Sequence, residues 1–557
     1  MSENYFVMKI KSLAVVAILL VISKQSFGQN TFSQINALFQ ANCTVGCHNT
    51  SSNSGNLNLT GTDSEVYNRI VNVVPTNPAA AAKGHKLIRP GYPDRSFLYR
   101  KCNAGLYPTN GLTGANEGGT MPDSYPQSQL ENQQIELIRQ WIYKGAPLTG
   151  NVVETSLINE YYTNGGINSI PTPPPVPTEP GAFQLHLGKI FLAPQSEAEY
   201  FIKYDLELPE DIQVNRIEMV MAPQSHHFLL YKFLPGQDAS FADGLRLQNP
   251  NNGSGSSGSS STMINAWQIS YDTNLPDGTA YIWPTGSVLD MNFHTKNYSL
   301  DSVLAAEVYF NVYTVPNTQP MEVMYSDLVT DFNIIIPADN TPYTFTKADY
   351  STSATRYWNL WQLTSHTHKY GIDFDIFKRN ANGTQGDQIY EGWYNTDYTF
   401  NQGYYDFSHP PIRQFSPLEQ VNPRNGLIQK ATFRNSGNSV VYFGLTTNDE
   451  MKLYYVQYTL GDFINPTGIE ENSSSEFYMY PNPAKETFTI NLNLTSESNI
   501  EIILSDISGR TVMQKKYGKL SAGNQTISID TELSDGIYMV NMISDKGIST
   551  QKICIQH

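Results

Sequence analysis

Between Thr163 and Pro180 the chain runs through a polar tract ending in PTPPPVPTEP, which neither a helix nor a sheet can absorb. Each proline lacks an amide hydrogen and pushes the residue before it out of the helical region. The tract therefore divides the chain, and it is expected to act as a semi-rigid polyproline II spacer over 151–180. Before it the pattern is helical: in QIELIRQWIY, ending at Tyr143, Ile135, Ile138 and Ile142 share one face with Leu137 and Trp141 beside it. After it, from Gly181 to about Gly461, short β-strands alternate with Pro, Gly and Asn turns, interrupted by a flexible Gly/Ser tract from Asn251 to Ser261. A second polar break, Glu470 to Ser475, precedes a final β-patterned module. At roughly 150 residues per domain, the 557 residues predict about four domains. With 35 Tyr and 25 Phe the composition leans towards β-structure, and no repeat asks for a solenoid or propeller.

The first 28 residues read as a secretory signal peptide. Lys9 and Lys11 precede the apolar run Leu13 to Ile22, and small residues at Ser26 and Gly28 suit cleavage after Gly28, with Met8 an alternative start. That run is too short to span a bilayer and nothing later approaches the ~20 residues required, so no transmembrane span is expected. A formal charge of -16 opposes nucleic-acid binding and anionic lipid surfaces. Four cysteines in this length make no disulfide framework.

Two of those cysteines stand in Cys43-Thr44-Val45-Gly46-Cys47-His48. Paired thiols followed at once by histidine allow two thioethers to haem with the imidazole as axial ligand, although three residues rather than two separate the cysteines. The bland readings of the motif are a fortuitous cysteine pair, a disulfide or a weak metal site. The segment as a whole resembles the cytochrome-c-like domains of secreted bacterial proteins, through INALFQANC, the haem motif, GNLNL, IRPGYPDRSFLYRK, GGTMP and a closing helix ending WIYKGAP. The resemblance spans nearly all of 31–147 and implies one covalently attached haem c bound by Cys43 and Cys47, with His48 proximal and Met121 distal. The alternatives are an ordinary core or loop role for Met121 and His85 as sixth ligand. Cys102 has no assigned partner and reads as a buried thiol.

In the central β-rich region the histidines come in pairs. His226-His227 lies in APQSHHFLLYKF, His294 in VLDMNFHTKNYS, and His366-Thr367-His368 in LTSHTHKYGIDFDIF. Imidazole suits copper and zinc, and residues i and i+2 of a strand share a face, so His366 and His368 can grip one ion. Adjacent His226 and His227 point to opposite faces of a regular strand and share an ion only at a strand end or bulge, or through different ring nitrogens. Taken singly, each is more often a surface or hydrogen-bonded histidine.

In order and context these segments, with WPTGSVLDMNFHTKN, Asn297 and Thr447-Asn448-Asp449-Glu450-Met451, resemble the copper type II, ascorbate-dependent monooxygenases, the group of peptidylglycine α-hydroxylating and dopamine β-monooxygenases. The resemblance implies two copper ions, one per β-sandwich lobe: His226, His227 and His294 at the electron-donating copper, His366, His368 and Met451 at the copper that meets oxygen. A thioether favours Cu(I), which fits the second role. The animal enzymes are disulfide-rich here, whereas 181–461 contains no cysteine, and their substrate-anchoring residues find no match, so peptide and catecholamine substrates are not inferred.

The C-terminal module, with Tyr480-Pro481-Asn482-Pro483-Ala484, SDISGR at 505–510 and Leu533-Ser534-Asp535-Gly536-Ile537-Tyr538, resembles the type IX secretion sorting domain. That implies export by the type IX machinery and a secreted or surface-attached product; the alternative is a plain carbohydrate-binding or Ig-like module. The expected order is thus a signal peptide (1–28), a small all-α cytochrome-c-like domain (29–150), the spacer (151–180), two all-β jelly-roll-like sandwich lobes (181–330 and 331–465), a linker (466–476) and a small Ig-like β-sandwich (477–557). The expected function is a copper monooxygenase that hydroxylates an aliphatic carbon of an unknown organic substrate with O2, using electrons from the haem domain or an external reductant. The alternatives are a non-catalytic copper and haem electron-transfer protein at the cell surface, and a structural adhesin.

Overall fold

The computed structural model describes residues 30–557 except 124–128, 224, 249–254, 257, 319–320, 394–404, 465–476, 508 and 546. The expected signal peptide, the 466–476 linker and part of the Gly/Ser tract lie outside the described residues.

The N-terminal region is helical. Thr31–Cys43 begins where the Asn30 side chain accepts from the Phe32 N–H, and Pro78–Ala82 begins with Asn77 as cap and proline in its first turn. Asn132–Tyr143 buries Ile135, Ile138, Trp141 and Ile142 against Phe32, Ile35 and Phe39. The Trp141 indole lies 5.1 Å from the Phe32 ring and donates to the Pro147 carbonyl at 2.9 Å, so the large ring is buried without an orphaned N–H.

The expected spacer over 151–180 divides. Thr155–Asn164 is a helix whose Ile158, with Val153, joins the helical core, and Ile167–Asn168 pairs in parallel with the strand Leu304–Val315. The helical unit thus reaches residue 164, not 150, because these apolar side chains have a core to enter before the first proline of the tract at 171.

The first β-lobe packs a seven-stranded sheet, with Leu304–Val315 between Phe183–Leu192 and Ile212–Met221, against a five-stranded one. In the latter, Val288–Lys296 lies between Glu197–Asp205 and Ser225–Phe233. Leu230, Leu289, Met291, Val214, Ile217 and Phe310 fill the space between. The second lobe sets Tyr325–Thr330, Leu453–Phe463, Arg356–His366 and Ile412–Val421 against Pro342–Asp349, Leu427–Arg434, Gly371–Arg379 and Gln385–Glu391. The lobe boundary falls at Met324, earlier than the expected 330: Glu322–Val323 pairs within the first lobe, whereas Tyr325–Thr330 pairs with Leu453–Phe463 of the second. Residues 477–557 form three- and four-stranded sheets, with Phe488, Ile490, Leu492, Ile502 and Val540 between them. Thr487–Leu494 alternates buried and outward residues as its sequence pattern predicts.

The helical unit sits directly on the first lobe. Arg139, 1% exposed, pairs with Glu136 at 2.9 Å and donates to the carbonyls of Gly188 and Lys189. Tyr204 donates to Asp94 at 2.8 Å, and Arg95 to the Asp205 carbonyl at 2.7 Å. Gly91 and Gly244, both at positive φ, meet backbone to backbone, where a Cβ on Gly244 would stand 2.3 Å from the Tyr143 carbonyl oxygen. The two lobes are also in contact: Tyr455 donates to Asn265 at 2.8 Å, and Gln457 to Tyr281.

Candidate metal centre

Five histidines from three strand segments meet at the boundary between the two lobes. His226 and His227 open Ser225–Phe233 where the ladder with Val288–Lys296 slips: His294 faces His227, but Thr295 faces Ser225. His226 is the extra residue of a β-bulge, the circumstance in which adjacent histidines can serve one centre. From the second lobe, His366 ends Arg356–His366 and His368 lies just past that end. The two sets assigned by resemblance to separate lobes form one contiguous cluster. The His226 ring lies 4.8 Å from that of His294, 5.0 Å from His368 and 5.4 Å from His366, and His366 lies 5.2 Å from His368. Ligand nitrogens of His226, His366 and His368 all lie within 4.8 Å of one another. Met451, buried, lines the same cavity as His227 and His366.

Several ring nitrogens are held by protein partners. The His368 Nδ1 lies 3.0 Å from the Asp449 carbonyl, the His294 Nε2 2.7 Å from Glu197 and the His366 Nδ1 2.7 Å from the Gln268 amide. Such contacts orient an imidazole and select the nitrogen left for a metal. Four others, His226 Nε2, His227 Nδ1, His366 Nε2 and His368 Nε2, are buried with no hydrogen-bond partner. Burial of polar atoms without partners is costly, and clustered imidazole nitrogens in this condition are what a soft or borderline metal satisfies. Burial, reinforced by the neighbouring histidines, pulls the His226 imidazole down to about 3 and holds His227 and His366 well below the usual histidine range. Burial also lowers His368. These rings are therefore neutral near pH 7, the form that binds a metal.

The loop carrying Met451 is fixed by Glu450. Its fully buried carboxylate accepts from the backbone N–H of Tyr370 at 2.7 Å, of His368 at 2.9 Å and of Met451 at 3.3 Å. Across the lobe boundary, Thr447 donates to Glu197 at 2.9 Å, so one carboxylate holds both His294 and the opposing loop. Glu197 and Gln268 gave no sequence signal, since neither belongs to a motif; Glu450 could have been found beside Met451. Asn297 acts locally, donating to three carbonyls of its own lobe. A second ligand-type group, Asp373, Asp375 and Glu391, is half-buried on the second lobe, where Trp393 and Gln388 already donate to Asp373 and Asp375.

In the helical unit, Cys43, Cys47, His48 and Met121 line one cavity of about 370 Å³ whose remaining wall includes Leu57, Leu59, Leu87 and Phe97. The His48 Nδ1 lies 3.2 Å from the Leu57 carbonyl, which leaves Nε2 as the nitrogen available to an iron. The donor set and the apolar wall fit a covalently attached haem. Cys102 lines the same cavity. Burial, reinforced by Cys47, pushes the Cys43 thiol up to about 11. His85 is instead 2.8 Å from Arg100 and outside that wall.

Residues 478–556 match the family described as secretion system C-terminal sorting domain, and no copper-monooxygenase or cytochrome family model matches. The protein is accordingly a secreted or cell-surface one. No helix among the described residues is long and apolar enough to cross a membrane. No curated protein matches the chain. Among solved structures, a β-glucuronidase of Parabacteroides merdae is 10% identical over 40% of this chain and 29% of its own, with a TM-score of 0.13. A β-1,2-glucanase from Parabacteroides distasonis is 10% identical over 44% of this chain and 34% of its own, also at 0.13. The chain spans 29–37% of the length of the glucuronidases it matches, and scores this low carry no argument about fold or activity.

Proposed function

We propose that this is a secreted or surface-attached copper-dependent monooxygenase that hydroxylates an aliphatic carbon with O2, its N-terminal unit being a c-type haem domain that delivers electrons. The observation that carries the reading is the convergence of five histidines from both lobes, four of them with a buried, unpartnered ring nitrogen, beside Met451 and an apolar cavity. Copper held by His226, His227 and His294 and by His366, His368 and Met451 supplies the one-electron and oxygen chemistry that side chains lack, and haem held by Cys43, Cys47, His48 and Met121 supplies electrons. A soluble external reductant reloads the chain.

The protein's own part is orientation. Asp449, Glu197 and Gln268 turn three imidazoles so that a chosen nitrogen faces the centre. Glu450 sets the backbone that carries His368 and Met451. The cavity beside the histidines presents largely apolar surface, which suits an aliphatic guest. Arg139 and Tyr204 hold the helical unit on the first lobe, which fixes the placing of one against the other.

The test is oxygen consumption by the copper-loaded, haem-bearing protein given reductant. Consumption that depends on both copper and reductant, and that Met451→Ala abolishes while copper still binds the three-histidine set, is the expected result. Equal turnover in Met451→Ala sinks the role of that residue; bound copper without any oxygen consumption leaves an electron-transfer protein instead.

A further inference from the structure

The cavity beside the histidine cluster has a chemistry of its own. It measures about 320 Å³, at the low end of the ~300–1,000 Å³ of small-molecule sites, so it holds one small molecule and not a polymer. Both lobes build it: Leu229, Trp267 and Ile269 from the first, Leu328, Phe443 and Leu453 from the second, with His227, His366 and Met451 on the wall. Among the described residues that line it there is no lysine or arginine, its histidines are neutral, and its one acid is Glu199, whose carboxyl burial holds above the usual range. Without metal, an anionic guest would find no cationic side chain there and would lose its hydration, a cost that weakens its binding.

Besides the unpartnered nitrogens of His227 and His366 and the Ser256 hydroxyl, one further polar group on this wall is unsatisfied. Asn292, 0% exposed, donates through its amide nitrogen to Glu199 at 2.8 Å, which leaves its carbonyl oxygen as the remaining group. That oxygen is buried and accepts no hydrogen bond. A buried acceptor of this kind is satisfied by a guest that brings a donor.

We infer that the substrate is a small, uncharged, largely apolar molecule bearing a hydroxyl or similar donor, bound by the apolar wall and by the Asn292 carbonyl, and that the metal-free cavity disfavours carboxylates. The inference rests on the proposed function only in calling this guest the substrate; the binding specificity stands on the cavity alone.

The experiment is calorimetric titration of the full secreted protein, metal-free, with three probes of one chain length: 1-heptanol, heptanoate and heptyl methyl ether. Copper content is measured separately, so loss of the metal reading and loss of the cavity assignment are distinguishable. The expected result is one heptanol per chain, heptanoate weaker by at least about tenfold, and the ether, which has no donor, weaker by about three- to tenfold. Leu445→Trp, a loop residue on the wall, should weaken heptanol by at least about tenfold; Ile269→Trp on the facing lobe repeats the test if the first variant fails to fold. Asn292→Leu should bring heptanol and the ether to equal affinity. Heptanoate binding as tightly as heptanol, no binding of any probe, or heptanol binding that survives tryptophan at both positions overturns the inference.

Discussion

Replacing Arg139 by methionine tests whether the helical unit and the first lobe are held as one body. In the native protein the guanidinium is buried between Glu136, itself fully buried, and the carbonyls of Gly188 and Lys189. Methionine fills much of the volume but leaves the Glu136 carboxylate buried without its cation. Removing one partner of a buried pair typically costs about 3–5 kcal/mol. The Gln140 amide still reaches Glu136 at 2.8 Å, so the lower end, about 3 kcal/mol, is expected. For a unit of this size that lowers the midpoint of the helical transition by roughly 6–12 °C. Thermal unfolding followed at 222 nm reads it, with limited proteolysis reporting whether the helical unit comes off the lobe. Glu136→Gln combined with Arg139→Met should recover more than half of the loss, because no uncompensated charge then remains. A loss under about 1 kcal/mol, or a double variant no better than the single one, would refute the reasoning.

Three further outcomes are expected. Glu117 is raised by burial but lowered more by hydrogen bonds from Arg100 and Lys83, which bring it from 4.5 to about 2. Its folded value is depressed, so its contribution is complete above about pH 5 and fades as pH falls towards 2; Glu117→Gln should lower the melting temperature at pH 7, and the gap to the parent should close by about pH 2. Glu450→Ala leaves three backbone N–H groups without their acceptor and should cost about 2–4 kcal/mol in urea unfolding, with loss of copper from the His368 and Met451 side, whereas Glu450→Gln should keep most of both. Alanine at both Cys43 and Cys47 should abolish covalent haem, read as a pyridine-haemochrome band that solvent extraction removes, while Cys102→Ser should retain it.

Much of the architecture was legible in local pattern. The proline tract separates helical from β-structure, the isoleucine face of Asn132–Tyr143 enters the helical core, and the alternation in Thr487–Leu494 is that of a half-buried strand. The helix Thr155–Asn164 was not legible, because its only fully buried residue is Ile158 and the rest of TSLINEYYTN reads as polar loop. The histidine pairs were visible as residue types in strand contexts, but their union was not. It depends on the bulge opposite Thr295 and on how one sandwich meets the other, which are long-range features that no spacing encodes. Glu197 and Gln268 escaped for the same reason: each acts on a histidine about 100 residues away in sequence. From its sequence Cys102 reads as a buried thiol, and only the fold sets it on the wall with Cys43 and Cys47.

The central claim is that the histidine cluster holds copper. Metal analysis with electron paramagnetic resonance on the secreted protein tests it most directly, beside a His366→Ala and His368→Ala double variant. The expected result is about two coppers per chain with imidazole nitrogen couplings, and about one in the double variant. Parent protein that binds no copper above the level of the double variant would contradict the claim.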